Sequence, residues 1–165
     1  MSDCCASEPD FLDPFLLLSE QLTGFTRVEL EGTGMTHTYY DKVRSIVQTE
    51  VFGGMLLEVE KIHRDGAAVS DPAYAEMEFA KRIMDSPAYG PIAINLNLLW
   101  YTGQWNPLPQ TWRNEYGTSA KDQAEILSPE SYREGLMWKA IGAHPMGAKQ
   151  QGYGSWSRVP PTPPA

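Results

Sequence analysis

Residues 37–64 read HTYYDKVRSIVQTEVFGGMLLEVEKIHR. Within them Tyr39, Val43, Ile46, Val47, Met55, Val59 and Ile62 fall mostly three or four apart. Side chains at that spacing share a helix face, so the stretch predicts one long helix with a single apolar stripe. Gly53-Gly54 interrupts the stripe and predicts a kink or a break into two helices there.

Four dipeptides punctuate the chain around this helix: Asp13-Pro14, Asp71-Pro72, Ser86-Pro87 and Ser128-Pro129. Each offers a capping oxygen followed by a proline, whose missing N–H costs nothing at the first helical position. With the stripe they predict helices near 14–22, 37–64, 73–85, 88–102 and 129–141. Gly24, Gly103 and Gly142 sit just past three of the predicted ends, where a left-handed cap is wanted. On the last helix Tyr132, Leu136, Met137, Ala140 and Ile141 share one side. No segment alternates apolar and polar residues with strand periodicity. The expected fold is mostly α, a small irregular helical bundle.

The 165 residues are 42% hydrophobic and 21% charged, the balance of a folded domain. A net charge of −8 gains nothing from phosphate and argues against non-specific nucleic-acid binding. The strongest apolar run, Ile92 to Tyr101, is too short to span a bilayer and carries Asn95 and Asn97. Cys4 and Cys5 are adjacent and make no disulfide framework. They read as free thiols on a mobile N-terminal tail, residues 1–10, or as a bridge to a partner chain.

Two stretches do not suit a compact bundle. Residues 103–128 hold Gly103, Pro107, Pro109 and Gly117 with Trp105, Trp112 and Tyr116, and predict a long aromatic loop. Residues 144–165 hold Tyr153 and Trp156 among glycines and prolines, with Lys149 and Arg158 and no acid. This end is +2 while residues 1–143 are −10. It reads either as a frayed end or as an extended arm leaving a helical domain of residues 11–143. In the second case its aromatics anchor on another protein, since aromatics and arginine are the usual anchors of interfaces. Trp105, Trp112, Tyr153 and Trp156 together exceed what a chain of this size exposes without a partner.

A catalytic constellation is not found. His37, His63 and His144 do not pair at metal-ligand spacing, so no metal site is expected. There is no G-x-S-x-G. Gly32-Thr33-Gly34 lacks the strand and third glycine of a dinucleotide fingerprint, so the chain has no βαβ site for FAD or NAD. Acids such as Glu58 and Glu60 read as a solvated helix face. A stand-alone helical enzyme with an Asp/Glu/Tyr acid–base site remains an alternative. Trp100, Tyr101 and Asn95 would be its first location. A general helical adaptor is another.

Three segments, in order, resemble a known family. They are Phe15 to Gly24 (F-x-x-L-S-x-x-L-T-G), Leu98 to Trp105 with its W-Y-x-G, and Ser131 to Trp138. Pro145, Gly147, Gly152, Tyr153, Trp156 and Pro160 follow. This order, over about residues 11–160, is similar to the small subunits of FAD-dependent sorbitol, fructose, gluconate and glucose dehydrogenases. The resemblance implies a non-catalytic subunit that binds and helps fold a large subunit of the glucose-methanol-choline (GMC) type. That large subunit holds the FAD and oxidises a sugar or polyol hydroxyl, and a cytochrome c subunit often takes the electrons onward. Carried over by position, the interface comprises Trp100, Tyr101, Trp105, Tyr132, Trp138, Tyr153 and Trp156. Trp100 and Trp138 have internal packing as their alternative role. No residue is assigned to catalysis, cofactor or metal. The family's twin-arginine signal is missing, since the first basic residue is Arg27. The resemblance implies a periplasmic complex, and a native start at Met1 a cytosolic one.

Overall fold

The computed structural model describes residues 11–69 and 71–145. Residues 1–10, with Cys4 and Cys5, and residues 146–165 of the arm lie outside the described residues. The fold is mostly α. In chain order it runs α1 (Leu12–Thr23), α2 (Arg27–Gly32), α3 (Thr36–Ile46), α4 (Thr49–Val69) and α5 (Pro72–Phe79). A π-helical turn, Ala80–Met84, continues α5. Then come α6 (Gly90–Thr102), β1 (Gln104–Trp105), α7 (Gln110–Tyr116), β2 (Glu125–Ile126), α8 (Pro129–Arg133) and α9 (Leu136–Ala140).

The long helix expected over 37–64 is two helices, and the break is not at Gly53-Gly54. It falls at Val47, whose backbone is extended and pairs across to Thr118. Ser119 supplies the reason. Its N–H donates to the Ile46 carbonyl at 3.1 Å and its hydroxyl to the Ser45 carbonyl at 2.8 Å. Carbonyls at the end of α3 are thus satisfied by a distant loop, and the helix stops there. The two glycines lie inside α4 and admit neighbours. A Cβ on Gly54 would come 3.0 Å from the Tyr89 hydroxyl.

The helix expected over 129–141 is also two, split at Gly135. A Cβ there would meet the Tyr101 carbonyl at 2.7 Å, so the chain turns tightly against the end of α6. The loop of 103–128 is partly ordered by its own elements. β1 and β2 pair antiparallel, Trp105 opposite Glu125, and α7 fills the connection. Asp71 and Ser128 cap as their dipeptides predict, accepting from the N–H groups of Ala73 and Ser131. Asp13 instead lies inside α1 and pairs with Arg27.

α6 is the centre. Ile92, Ala93, Leu96, Leu99 and Trp100 are buried on it, and α1, α3, α9, β1 and the π-helical turn pack around it. Its start is tight as well, since a Cβ on Gly90 would fall 2.4 Å from the Met84 carbonyl.

The three capping glycines all take positive φ, but they differ in their surroundings. Gly142 has open space around it, whereas a Cβ on Gly103 would lie 2.4 Å from the Ser131 carbonyl. Gly142→Ala is expected to cost about 1 kcal/mol, the strain of a left-handed residue alone. Gly103→Ala is expected to cost at least about 3 kcal/mol, because backbone must also move. Urea unfolding of the two variants gives the comparison, and equal losses would remove the close approach as a cause.

Candidate interaction surface

Trp100 and Tyr101 end α6 facing α1, where Ser19 and Thr23 stand one turn apart. The Trp100 indole N–H donates to Ser19 Oγ at 2.9 Å. The Ser19 hydroxyl donates in turn to the Phe15 carbonyl at 2.8 Å. The Tyr101 hydroxyl donates to the Thr23 carbonyl at 2.8 Å. Tyr39 meets Trp100 edge to face at 4.8 Å, and Phe15 lies 6.5 Å away. From the other side, the Ser131 hydroxyl lies 3.1 Å from the Gly103 carbonyl. The three segments that carry the family resemblance therefore converge on the C-terminal end of α6.

Two of the expected interface residues are internal. Trp100 is 1% exposed and Trp105 is fully buried. The Trp105 indole donates to Asp122 at 2.9 Å, and the same carboxylate accepts the Leu108 N–H at 3.1 Å. Trp112 is buried too, with its indole on the Ala88 carbonyl at 2.8 Å. The expectation that Trp105 and Trp112 need a partner for burial is therefore corrected, because Asp122 and the turn before α6 give their polar edges partners within the chain. Tyr101, Tyr132 and Trp138 are half-buried. Tyr132 and Trp138 form an edge-to-face pair at 5.4 Å, with the Trp138 indole on the Tyr132 carbonyl. Tyr153 and Trp156 lie outside the described residues. Asn95 clasps the backbone N–H and carbonyl of Asn106. The side-chain polar groups of Asn95, Trp100 and Tyr101 are therefore engaged in internal hydrogen bonds.

A surface that sequence reasoning missed lies on the outward side of α6. Ile94 and Leu98 are 53% and 43% exposed, one turn apart. Pro91, Pro107 and Pro109 border them around a shallow depression of about 240 Å³. From Ser86 to Trp112 the chain has no charged residue, and that run was the available signal. An exposed apolar ridge without charges is the composition of an interface centre rather than of ordinary surface.

Two clefts flank α2. One, of about 440 Å³, lies between α1, α4 and α5, with Thr26 at its edge. The other, of about 490 Å³, lies between α2 and α9 and includes His144 and Pro145. Lys139 bridges this region, 2.5 Å from Glu29 and 5.4 Å above the Phe25 ring. Among the described residues, no three of His, Cys, Asp and Glu gather as metal ligands would, and no helix is long and apolar enough to cross a membrane. Compared with models of protein families, with curated proteins and with solved structures, the chain matches none.

The Lys139 contact and the hydrogen bonds from Thr26 hold the Glu29 carboxyl down to about 2. A carboxyl lowered on folding adds stability above its ordinary range, and that contribution is lost as pH falls through about 2. NMR titration of Glu29 is expected to show this low value, and Lys139→Met to raise it. An ordinary carboxyl value in the native chain would mean that the α2–α9 contact is not made.

Ser19 and Tyr39 allow a contrast around Trp100. Ser19→Ala strands a buried indole N–H and is expected to cost about 1–3 kcal/mol. Burial pushes the Tyr39 hydroxyl well above its usual range, with Glu134 adding to the effect, and the buried oxygen has no hydrogen-bond partner among the described residues. Tyr39→Phe is therefore expected to be neutral or stabilising by about 1 kcal/mol. Chemical denaturation reads both, and a large loss for Tyr39→Phe would reveal an unseen partner.

Proposed function

We propose that this chain is the non-catalytic small subunit of an FAD-dependent dehydrogenase complex. It binds and stabilises a GMC-type large subunit that oxidises a sugar or polyol hydroxyl. The observation that carries the reading is the convergence of Phe15–Gly24, Leu98–Trp105 and Ser131–Trp138 on one end of α6. The resembling residues are thus parts of one packed unit, as a shared scaffold requires. In this reading the flavin belongs to the partner, and no residue of this chain is assigned to it.

The scaffold has a use for its outward side. Covering Ile94 and Leu98 removes apolar area from water, the dominant favourable term in association. The polar groups beside them, the Asn95 side chain and the Asn106 backbone, are neutral and already paired with each other, so no charge borders the ridge. A partner can cover the ridge without desolvating a charge or an unpaired amide. Tyr101, Tyr132 and Trp138 contribute half-exposed rings near the same helix end, and Tyr153 and Trp156 are the proposed anchors of the arm.

Co-expression with a flavoprotein encoded beside it tests the reading. The expected result is a one-to-one yellow complex with sugar or polyol dehydrogenase activity. A colourless chain that purifies alone would overturn it. Ile94→Asp and Leu98→Asp should leave the melting of the lone chain unchanged. Each is expected to weaken the complex by at least about 30-fold, the effect of losing an interface anchor worth about 2 kcal/mol. Unchanged affinity would remove α6 from the interface.

A further inference from the structure

The cleft between α1, α4 and α5 has an apolar floor and an acidic rim. Val59, Ile62 and Phe79 are buried beneath it, and Leu17 and Phe25 are half-buried at its sides. Glu20 and Glu76 stand at the rim, and Glu20 holds the Arg27 N–H at 2.7 Å. Among the described residues no lysine or arginine lines it; His63 is its basic lining residue, and Lys139 lies 5.4 Å over the Phe25 ring at its side. At about 440 Å³ it has the size of a site that takes a bulky side chain. Its chemistry asks for an aromatic group accompanied by a cation.

One segment of this chain has that chemistry and the required reach. Residues 144–165 carry +2 and no acid, with Arg158 two positions after Trp156. In an extended chain, positions two apart share a face, so ring and guanidinium present together. The starting point is close. Pro145 lies in the cleft that includes Gly32 and Thr33, while the acidic groove has Thr26 at its edge. Residues at the two ends of α2, Thr26 and Gly32 with Thr33, line one cleft each, and its six residues span about 9 Å. The eleven residues that follow Pro145, through Trp156, can extend to roughly 36 Å.

We infer that in the free chain this groove is the seat of the chain's own C-terminal segment, with Trp156 on the floor and Arg158 against the acidic rim. The groove then shields the arm's aromatics until a partner takes them. The inference concerns the chain alone and stands whatever the partner is.

The test replaces Trp156 in the full-length chain with p-benzoylphenylalanine and irradiates it at low concentration without any partner. The expected product is a monomeric cross-link to α1, α4 or α5, mapped by mass spectrometry to residues such as Leu17, Ile62 or Phe79. Its yield is expected to fall by about threefold or more with Glu20→Gln and Glu76→Gln together, and likewise in high salt, where exposed charges are screened. Cross-links that map elsewhere, or none, would overturn the inference. Cross-links only between chains, growing with concentration, would also overturn it, because the occupant would then be a second copy. A yield indifferent to both charge removal and salt would remove the electrostatic basis for the choice of occupant.

Discussion

The indole N–H of Trp100 must be satisfied in a dry place, and much of the structure follows from how that is done. Trp100 brings a large apolar ring to the core and one polar edge with it. Ser19 can accept from that edge because its own hydroxyl is spent on the Phe15 carbonyl one turn back. Thr23, four residues on, back-bonds to Ser19 in the same way, and its carbonyl receives the Tyr101 hydroxyl. Ser and Thr are indifferent helix formers because they compete for backbone groups. Here that tendency turns one stripe of α1 into a row of acceptors matched to the end of α6. Register between the two helices is thereby set, and the edge-to-face ring of Tyr39 closes the third side.

A second buried acceptor organises the segment after α6. Asp122 takes the Trp105 indole and the Leu108 amide, and Arg113 approaches to 3.9 Å. A buried carboxylate is tolerable only when its oxygens are met, and these contacts meet them. The result is a two-residue antiparallel strand pair and a seven-residue helix where a loop of that length would otherwise cost ordering entropy without return. Lys42 adds a tie from α3 to Glu125.

Local signals were legible where local physics decides. Asp71 and Ser128 cap as their proline dipeptides suggest, and Gly24, Gly103 and Gly142 adopt the left-handed geometry expected past helix ends. The misplaced helix breaks and the misjudged Trp105 share a cause, which is long-range contact. Nothing between residues 37 and 64 announces the break at Val47, since Thr118 and Ser119 impose it from more than seventy residues away. The split at Gly135 depends on the Tyr101 carbonyl, and the burial of Trp105 depends on Asp122. α2 is six residues with a capping box at Thr26 and Glu29, too short to show periodicity. The exposed ridge of α6 was also hidden, because an apolar helix does not say from its sequence which side the core will take.

That ridge is where the fold bears on the proposed function. A helix apolar on all sides belongs in a core or in a membrane. α6 has thirteen residues, about 20 Å of length, short of a hydrocarbon core of about 30 Å. Its inner side is fully used by α1, α3 and α9, yet Ile94 and Leu98 still face outward, inside a run of twenty-seven residues without a charge. A surface under no constraint would carry charges at the chain's average rate, and this one does not. The neighbouring prolines at 107 and 109 reinforce the point, because they add apolar area that loses no rotamer freedom when covered. An uncharged, pre-stiffened face on the most central helix is what a permanent subunit contact requires, and it supports the proposed role more directly than any side chain that could act on a substrate.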